Sequence, residues 1–369
     1  MNATVPGNRL LSLDVFRGAT LASMVLVNDP GSWDHIYAPL EHAAWHGWTF
    51  TDTVFPFFVW IAGVSLTLST ARRIERGDDR GRLFWHVLRR ALIIFAVGLF
   101  INGFPYFHFS RIRYLGVLQR IAICYLIAGS LSLVLKARGI VVAIVTLLAS
   151  YWLLMMLVPV PGCGAGSLVK DCNLAKYVDS IVLAGHMWSG TKTWDPEGLV
   201  STIPAIASML FGVLIGHLLR LNRTPAEKTA WLFVTGTLLL FAGQVMNVWL
   251  PINKNLWTSS YSVFMAGLAS VVFALCYWLV DVLKVQRWSR FFTIYGMNSL
   301  AVFIFTGLIG RLLGIIRING EPLDTRIFDS VFAPLASPIN ASLLYALANV
   351  LFYFLIVYAM YRLGWFLRV

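Results

Sequence analysis

Three residues stand out for the chemistry their types and spacing allow: Asn28, His42 and Asp52. Asn28-Asp29-Pro30 closes one apolar stretch, Glu41-His42-Ala43-Ala44-Trp45-His46-Gly47 follows, and Thr51-Asp52 opens the next. An imidazole titrates near neutrality and can move a proton there. A carboxylate can orient it, and a side-chain amide can donate to a developing oxyanion. His42 and His46 are four apart and share a face if that stretch is helical. The same residues also fit an interfacial loop anchored by Trp33, Trp45 and Trp48, with Asp52 as a helix N-cap.

Other polar groups gather at the ends of apolar runs. Arg111-Ile112-Arg113 precedes Gly116-Val117-Leu118-Gln119-Arg120. Arg111 and Arg113 can snorkel to an interface, whereas Arg120, set further into the run, calls for a buried acid or an anionic ligand such as a phosphate. Thr193-Trp194-Asp195-Pro196-Glu197-Gly198 reads as a helix start with Asp195 at the N-cap and Pro196 at N1, or else as a pair of ligand-binding carboxylates. Asn253, Lys254 and Asn255 form a polar turn that can be interfacial or meet an anion. Asn298, in Gly296-Met297-Asn298-Ser299, suits a helix–helix hydrogen bond or a ligand contact. No Walker loop, GxSxG elbow or HExxH is present, which argues against ATP hydrolysis, a serine hydrolase and a zinc protease. No spacing suggests a metal site.

Membrane helices must carry these residues. The 369-residue chain is 58% hydrophobic and 12% charged, against about 25% charged in an average soluble protein, and its mean hydropathy is +0.74. The expected fold is an all-α polytopic transmembrane bundle, a single integral-membrane domain over 1–369. Ten spans are predicted, at 11–28, 52–70, 84–102, 115–135, 139–158, 201–219, 230–249, 259–280, 291–310 and 341–362. The segment 322–334, with Pro322 and Pro334, is at most a loop helix. The first span is interrupted by Asp14 and Arg17 and lacks a cleavage pattern, so no removable signal peptide is expected.

The net charge of +12 fits topology rather than nucleic acid. Arg72, Arg73, Arg76, Arg80 and Arg82 follow the second span, Lys136 and Arg138 the fourth, Arg220, Arg223 and Lys228 the sixth, and Lys284, Arg287 and Arg290 the eighth. With Arg9, Arg17, Arg362 and Arg368 they mark the cytoplasmic side, which places both termini there and the polar clusters on the opposite face. Cys163 and Cys172 share a Gly-rich loop on that opposite face, where a disulfide can persist, while Cys124 and Cys276 lie in apolar spans. No internal repeat of the kind common in secondary transporters is visible.

In their order, these segments resemble the heparan-α-glucosaminide N-acetyltransferase family. The resemblance runs through Arg9-Leu10, Ser12, Asp14, Phe16-Arg17-Gly18, Val27-Asn28, His42-Ala43, Trp45, Gly47, Asp52 and Val54-Phe55-Pro56, then the clusters at 116–120, 195–199, 253–257 and 296–299. Because the chain begins at the shared core, it looks like the short bacterial, NagX-like branch, expected in the inner membrane. The resemblance implies transfer of acetyl from cytosolic acetyl-CoA to the amine of a glucosamine-type sugar across the membrane, with His42 catalytic, Asn28 its partner, and a homodimeric assembly. Asp52 is expected to orient His42. Gln119, Arg120 and Asn298 are candidates for the CoA passage, and Asp195, Glu197, Asn253, Lys254 and Asn255 for the sugar. Here the stretch between Asn28 and His42 is longer than in the lysosomal enzyme and His46 replaces an asparagine, so heparan is not carried over as substrate. An amino-sugar transporter and an O-acetyltransferase of an envelope glycan are the competing readings.

Overall fold

In the computed structural model, residues 10–367 are described; Arg9 and Arg368, counted above among the basic residues, lie outside them. The apolar runs form helices close to the predicted places: α1 Leu11–Asn28, α2 Thr51–Glu75, α3 Arg80–Gly103, α4 Val117–Val134, α5 Ala137–Leu157, a short α6 Leu174–Val182, α7 Leu199–Arg220, α8 Pro225–Met246 and α9 Ser259–Tyr277, then α10 Arg290–Met297, α11 Ser299–Ile315, a five-residue α12 Leu323–Ile327 and α13 Pro338–Arg362. Among the described residues nine helices are long and apolar enough to cross a membrane, or ten if α10 and α11 count as one span. The segment 322–334 contains α12, as expected of a loop helix.

The ninth predicted span is not a single rod. Helices α10 and α11 are bent by 77° at a break at Asn298, whose backbone leaves the helical region at φ −120°, ψ 40°. The Asn298 Nδ2 donates to the Trp365 carbonyl at 3.1 Å and its Oδ1 accepts from Leu367 N–H at 3.1 Å. An amide that bonds to distant backbone competes with the local helical ladder. Asn298 is fully buried, so its hydrogen bonds must come from protein.

The chain divides into two compact units. Among the described residues, the first comprises 10–42, 49–54 and 275–367, and the second 43–48 and 55–274. In the first, α1 lies against α10 and α13. A Cβ on Gly18 would stand 1.7 Å from the Phe292 carbonyl oxygen, and one on Gly296 would stand 2.1 Å from that of Asp14. Small residues there let two helix backbones touch, the usual device where lipid supplies no hydrophobic drive between helices. Arg17 pairs with Asp14 at 3.1 Å beside the same contact.

In the second unit α3 packs on α4, and α4 and α5 pack on α7, the most enclosed of the spans. A hairpin of β1 Leu168–Val169 and β2 Cys172–Asn173 lies between α5 and α6, and Cys163 and Cys172 form a disulfide with Cα atoms 5.6 Å apart.

Substituting Gly18→Val should lower stability by about 1–3 kcal/mol or more. Gly310→Ala, where nothing lies within 4 Å of the added carbon, should be neutral. Thermal unfolding in detergent compares them, and equal midpoints would contradict the close packing of α1 on α10.

Candidate active site

Asp52 opens α2 and is only 1% exposed. Its Oδ2 accepts from the Thr49 backbone N–H at 3.0 Å, the reach-back half of a capping box set up by Thr49-Phe50-Thr51-Asp52. Its Oδ1 lies 2.7 Å from His42 Nδ1. A carboxylate only accepts, so His42 Nδ1 carries the hydrogen and Nε2 is the basic nitrogen. The His42 side chain is 48% exposed, so an imidazole with a fixed tautomer stands open at the surface of the first unit. The Thr49 hydroxyl donates to the Glu41 carbonyl, next to His42, and closes the loop on itself. Asp52 therefore lies inside α2 rather than at its N-cap, and its two oxygens hold the Thr49 amide and His42.

Asn28 is the last residue of α1, exposed in the same unit as His42. The chain between them runs through a short 3₁₀ turn at Ala38–Leu40 and is anchored to α13, where Tyr37 Oη donates to Asn340 Oδ1 at 2.6 Å and Ser32 N–H to Ser342 Oγ at 3.1 Å.

His42 and His46 do not share a helix. Residues 41–50 are irregular, and the two histidines belong to different units. In the second unit, Asn253 Nδ2 donates to the Trp45 carbonyl at 2.8 Å and lies 3.3 Å from His46 Nδ1, while its Oδ1 accepts from Leu256 N–H at 2.9 Å. The Leu256 bond fixes the amide's orientation, so His46 Nδ1 accepts, the reverse of His42. Gly47 N–H donates to the Ile252 carbonyl at 2.8 Å and Trp45 Nε1 to that of Leu168. Asn253 thus holds the loop 43–48. Lys254 lies within electrostatic reach of Glu197, and Asn255 sits half-buried in the same turn.

Asp195 and Glu197 come together in this unit, joined by Arg113. Its Nε donates to Asp195 Oδ2 at 2.8 Å, and its Nη2 bonds both Asp195 Oδ1 and Glu197 Oε2. Burial opposes the charge on Arg113, but the two carboxylates outweigh it and hold the guanidinium above its ordinary pKa. Burial likewise pushes Glu197 up, and Arg113, then Arg120 and Lys254, overcome it, holding the carboxyl below its usual range. Arg113 is therefore no snorkelling side chain.

Nor is Asp195 the N-cap of a helix begun by Pro196. Helix α7 starts at Leu199, with Gly198 as its N-cap. Its first amide is satisfied by Asp179 of α6, which accepts from Leu199 N–H at 3.1 Å and, in the loop before the helix, from Asp195 N–H at 3.2 Å. Burial pushes the Asp179 carboxyl up to about 6 despite these donors. A Cβ on Gly198 would meet Asp179 Oδ2 at 2.0 Å, so only glycine admits this cap. No spacing rule links Asp179 to position 198, and sequence reading passed over it.

Arg120 is fully buried and stacks over Trp257 at 5.1 Å from the ring centroid. Its Nη2 donates to the Gly198 carbonyl at 3.2 Å and to Ser201 Oγ, and Nε and Nη1 have no protein partner. Glu197, Asp195 and Asp179 act on it without a direct ion pair among the described residues. Gln119 is equally buried, against the bare face of Gly98, and its Nε2 has no protein partner either. Asn298 belongs to the first unit, at the helix break.

The helices define a multi-pass membrane protein, and the His42–Asp52 pair gives it an exposed imidazole whose Nε2 is the basic nitrogen. Residues 9–245 match the family model described as heparan-alpha-glucosaminide N-acetyltransferase, catalytic, and the chain belongs to this family of membrane N-acetyltransferases. It is 30% identical to the human heparan-alpha-glucosaminide N-acetyltransferase over 80% of this chain and 52% of that protein. It is also 30% identical to the mouse protein of that name, over 80% of this chain and 53% of that protein. The chain spans about half the length of the curated relatives it matches. The matched region includes Asn28, His42, Asp52, Gln119, Arg120, Asp195 and Glu197, whereas the 253–255 turn and Asn298 lie beyond it.

Replacing Arg113 by leucine strands two buried carboxylates and should cost about 3–5 kcal/mol of stability. A combined Arg113→Leu, Asp195→Asn, Glu197→Gln variant should recover part of that loss. Thermal unfolding of both variants checks this, and a single variant as stable as wild type would overturn the assigned network.

Proposed function

We propose that this protein moves acetyl from cytosolic acetyl-CoA to the amine of a glucosamine-type sugar on the periplasmic side of a bacterial inner membrane. The observation that carries the reading is the 2.7 Å contact of His42 Nδ1 with buried Asp52, inside the region that matches the family. The family's name supplies acetyl as the group and a glucosaminide amine as acceptor. The concentration of arginine and lysine after the second, fourth, sixth and eighth spans supports cytoplasmic termini and an outward-facing His42 loop. The Cys163–Cys172 disulfide is in keeping with an oxidising compartment for its own loop. Assembly as a homodimer is part of the proposal.

In this reading His42 Nε2 takes a proton from the attacking amine, whose nitrogen lone pair forms the new C–N bond. The C–S bond breaks with its electron pair leaving on sulfur, and the imidazolium returns the proton to the thiolate. Alternatively, Nε2 first accepts the acetyl group and then passes it to the amine. Asp52 stabilises the imidazolium and keeps its tautomer. Asn28 donates to the tetrahedral oxyanion. Gln119 and Arg120 line the path of the CoA chain. The open valences of Arg120 Nε and Nη1 and of Gln119 Nε2 support a polar group in that path. Asn253, Lys254 and Asn255 face the sugar. Asp195 and Glu197 contribute to it only in addition to Arg113, which already holds both.

The test uses purified full-length protein, acetyl-labelled acetyl-CoA and glucosamine. Label should appear on the sugar as an alkali-stable amide, and His42→Ala should lose at least about a hundredfold in rate while remaining folded. An alkali-labile product would favour O-acetylation. Unmodified sugar accumulating in vesicles, with no label transferred, would favour transport. Full transfer by His42→Ala would end the assignment of His42.

A further inference from the structure

Asp29 follows Asn28 as the C-cap of α1, and its place there is physically adverse. The C-terminal end of a helix carries partial negative charge, which disfavours a carboxylate. Its Oδ2 is buried with no partner among the described residues, although the residue as a whole is only half-buried. Its own backbone is well served: Asp29 N–H donates to the Val25 carbonyl at 3.1 Å, and its carbonyl accepts from Asn349 Nδ2 at 3.4 Å. The side chain therefore plays no part in capping the helix.

The neighbours do not neutralise it. Tyr295 of α10 and Tyr345 and Tyr353 of α13 lie within electrostatic reach of the carboxyl. Tyr295 Oη is already committed to the Val350 carbonyl at 2.6 Å, and Tyr345 also feels Asp324 of α12. Among the described residues no lysine, arginine or histidine acts on Asp29; burial alone pushes its carboxyl up to about 7. A half-buried carboxyl with an unpaired oxygen at the wrong end of a helix lacks a cation to stabilise its charge. One peptide bond separates it from Asn28, which the proposed reaction places at the carbonyl of the acetyl group.

The acceptor in that reaction is itself a cation. A glucosamine amine arrives largely as ammonium and cannot attack until it has lost a proton. We propose that Asp29 is the residue that receives the acceptor's ammonium group beside Asn28 and removes its first proton. The N–H bond breaks with its electron pair staying on nitrogen, and the proton passes to the carboxylate, leaving a neutral amine and a neutral carboxylic acid. The amine's next proton goes to His42 during attack, so two separate groups handle the two protons. This inference rests on the amine-acetylation reading and adds a residue to it. The competing account, in which Asp29 merely tolerates its surroundings, gives it no role in acceptor affinity.

The two accounts differ in stability as well as kinetics. If Asp29 is kept for function, Asp29→Asn removes an adverse charge and the variant should melt at or above the wild-type midpoint. Its KM for glucosamine should rise by about tenfold or more, with the dissociation constant for acetyl-CoA unchanged. The wild-type advantage in kcat/KM should be small well below pH 7, where Asp29 is protonated. It should grow as pH rises through about 7 and the carboxylate forms. Asp29→Glu should recover part of the affinity. An Asp29→Asn variant with wild-type KM for glucosamine, or one whose loss of KM tracks a lower melting midpoint, overturns the proposal while leaving acetyl transfer intact. Failure of the wild-type protein to acetylate glucosamine or any other amine overturns both it and the parent reading.

Discussion

A chain with 12% charged residues has little water to spend on its polar groups, so each one buried must find its partner inside the protein. Asp52 meets that constraint with both oxygens, one on the Thr49 backbone and one on His42. Because the first bond pins the carboxylate to the start of α2, the second pins the imidazole to the same rigid element. That contact fixes the tautomer of a loop histidine.

The same constraint shapes the second unit. Arg113 joins two carboxylates, Asp179 caps α7 from α6, and Arg120 reaches the Gly198 carbonyl. Together they form a buried polar plug around the start of α7. Ion pairs of this kind add little net stability, because desolvation offsets attraction, but breaking one side leaves a stranded charge. They therefore specify where α7 begins rather than how tightly it packs. The places where the constraint is not met are correspondingly informative. Among the described residues, Arg120, Gln119 and Asp29, within the clusters that the enzymatic reading uses, carry buried polar atoms without protein partners, as do Ser12, Thr51, Arg90 and His217 elsewhere. Polar groups left open at a cost are where a ligand can compensate.

Much of the molecule was legible from residue order. Hydropathy is a local property, and lipid selects for it over about 20 residues at a time, so the spans fall within a few positions of where the sequence puts them. An ordered series of motifs likewise pointed to the family. The four-residue spacing of His42 and His46, by contrast, carried no information, because that stretch never becomes helical.

What sequence alone determined, then, is which segments cross the membrane and which residue types stand at their ends. Tertiary structure decided the partners: that His42 rather than His46 meets a carboxylate, that Arg113 rather than Arg120 takes Asp195 across 82 residues of chain, that Asp179 caps α7, and that the ninth span breaks where Asn298 grips the C-terminal segment. The physical reason is range. Apolar burial is summed along a contiguous stretch and can be read from it, whereas a hydrogen bond is decided by whichever donor the folded chain brings within 3 Å, and sequence separation says nothing about that.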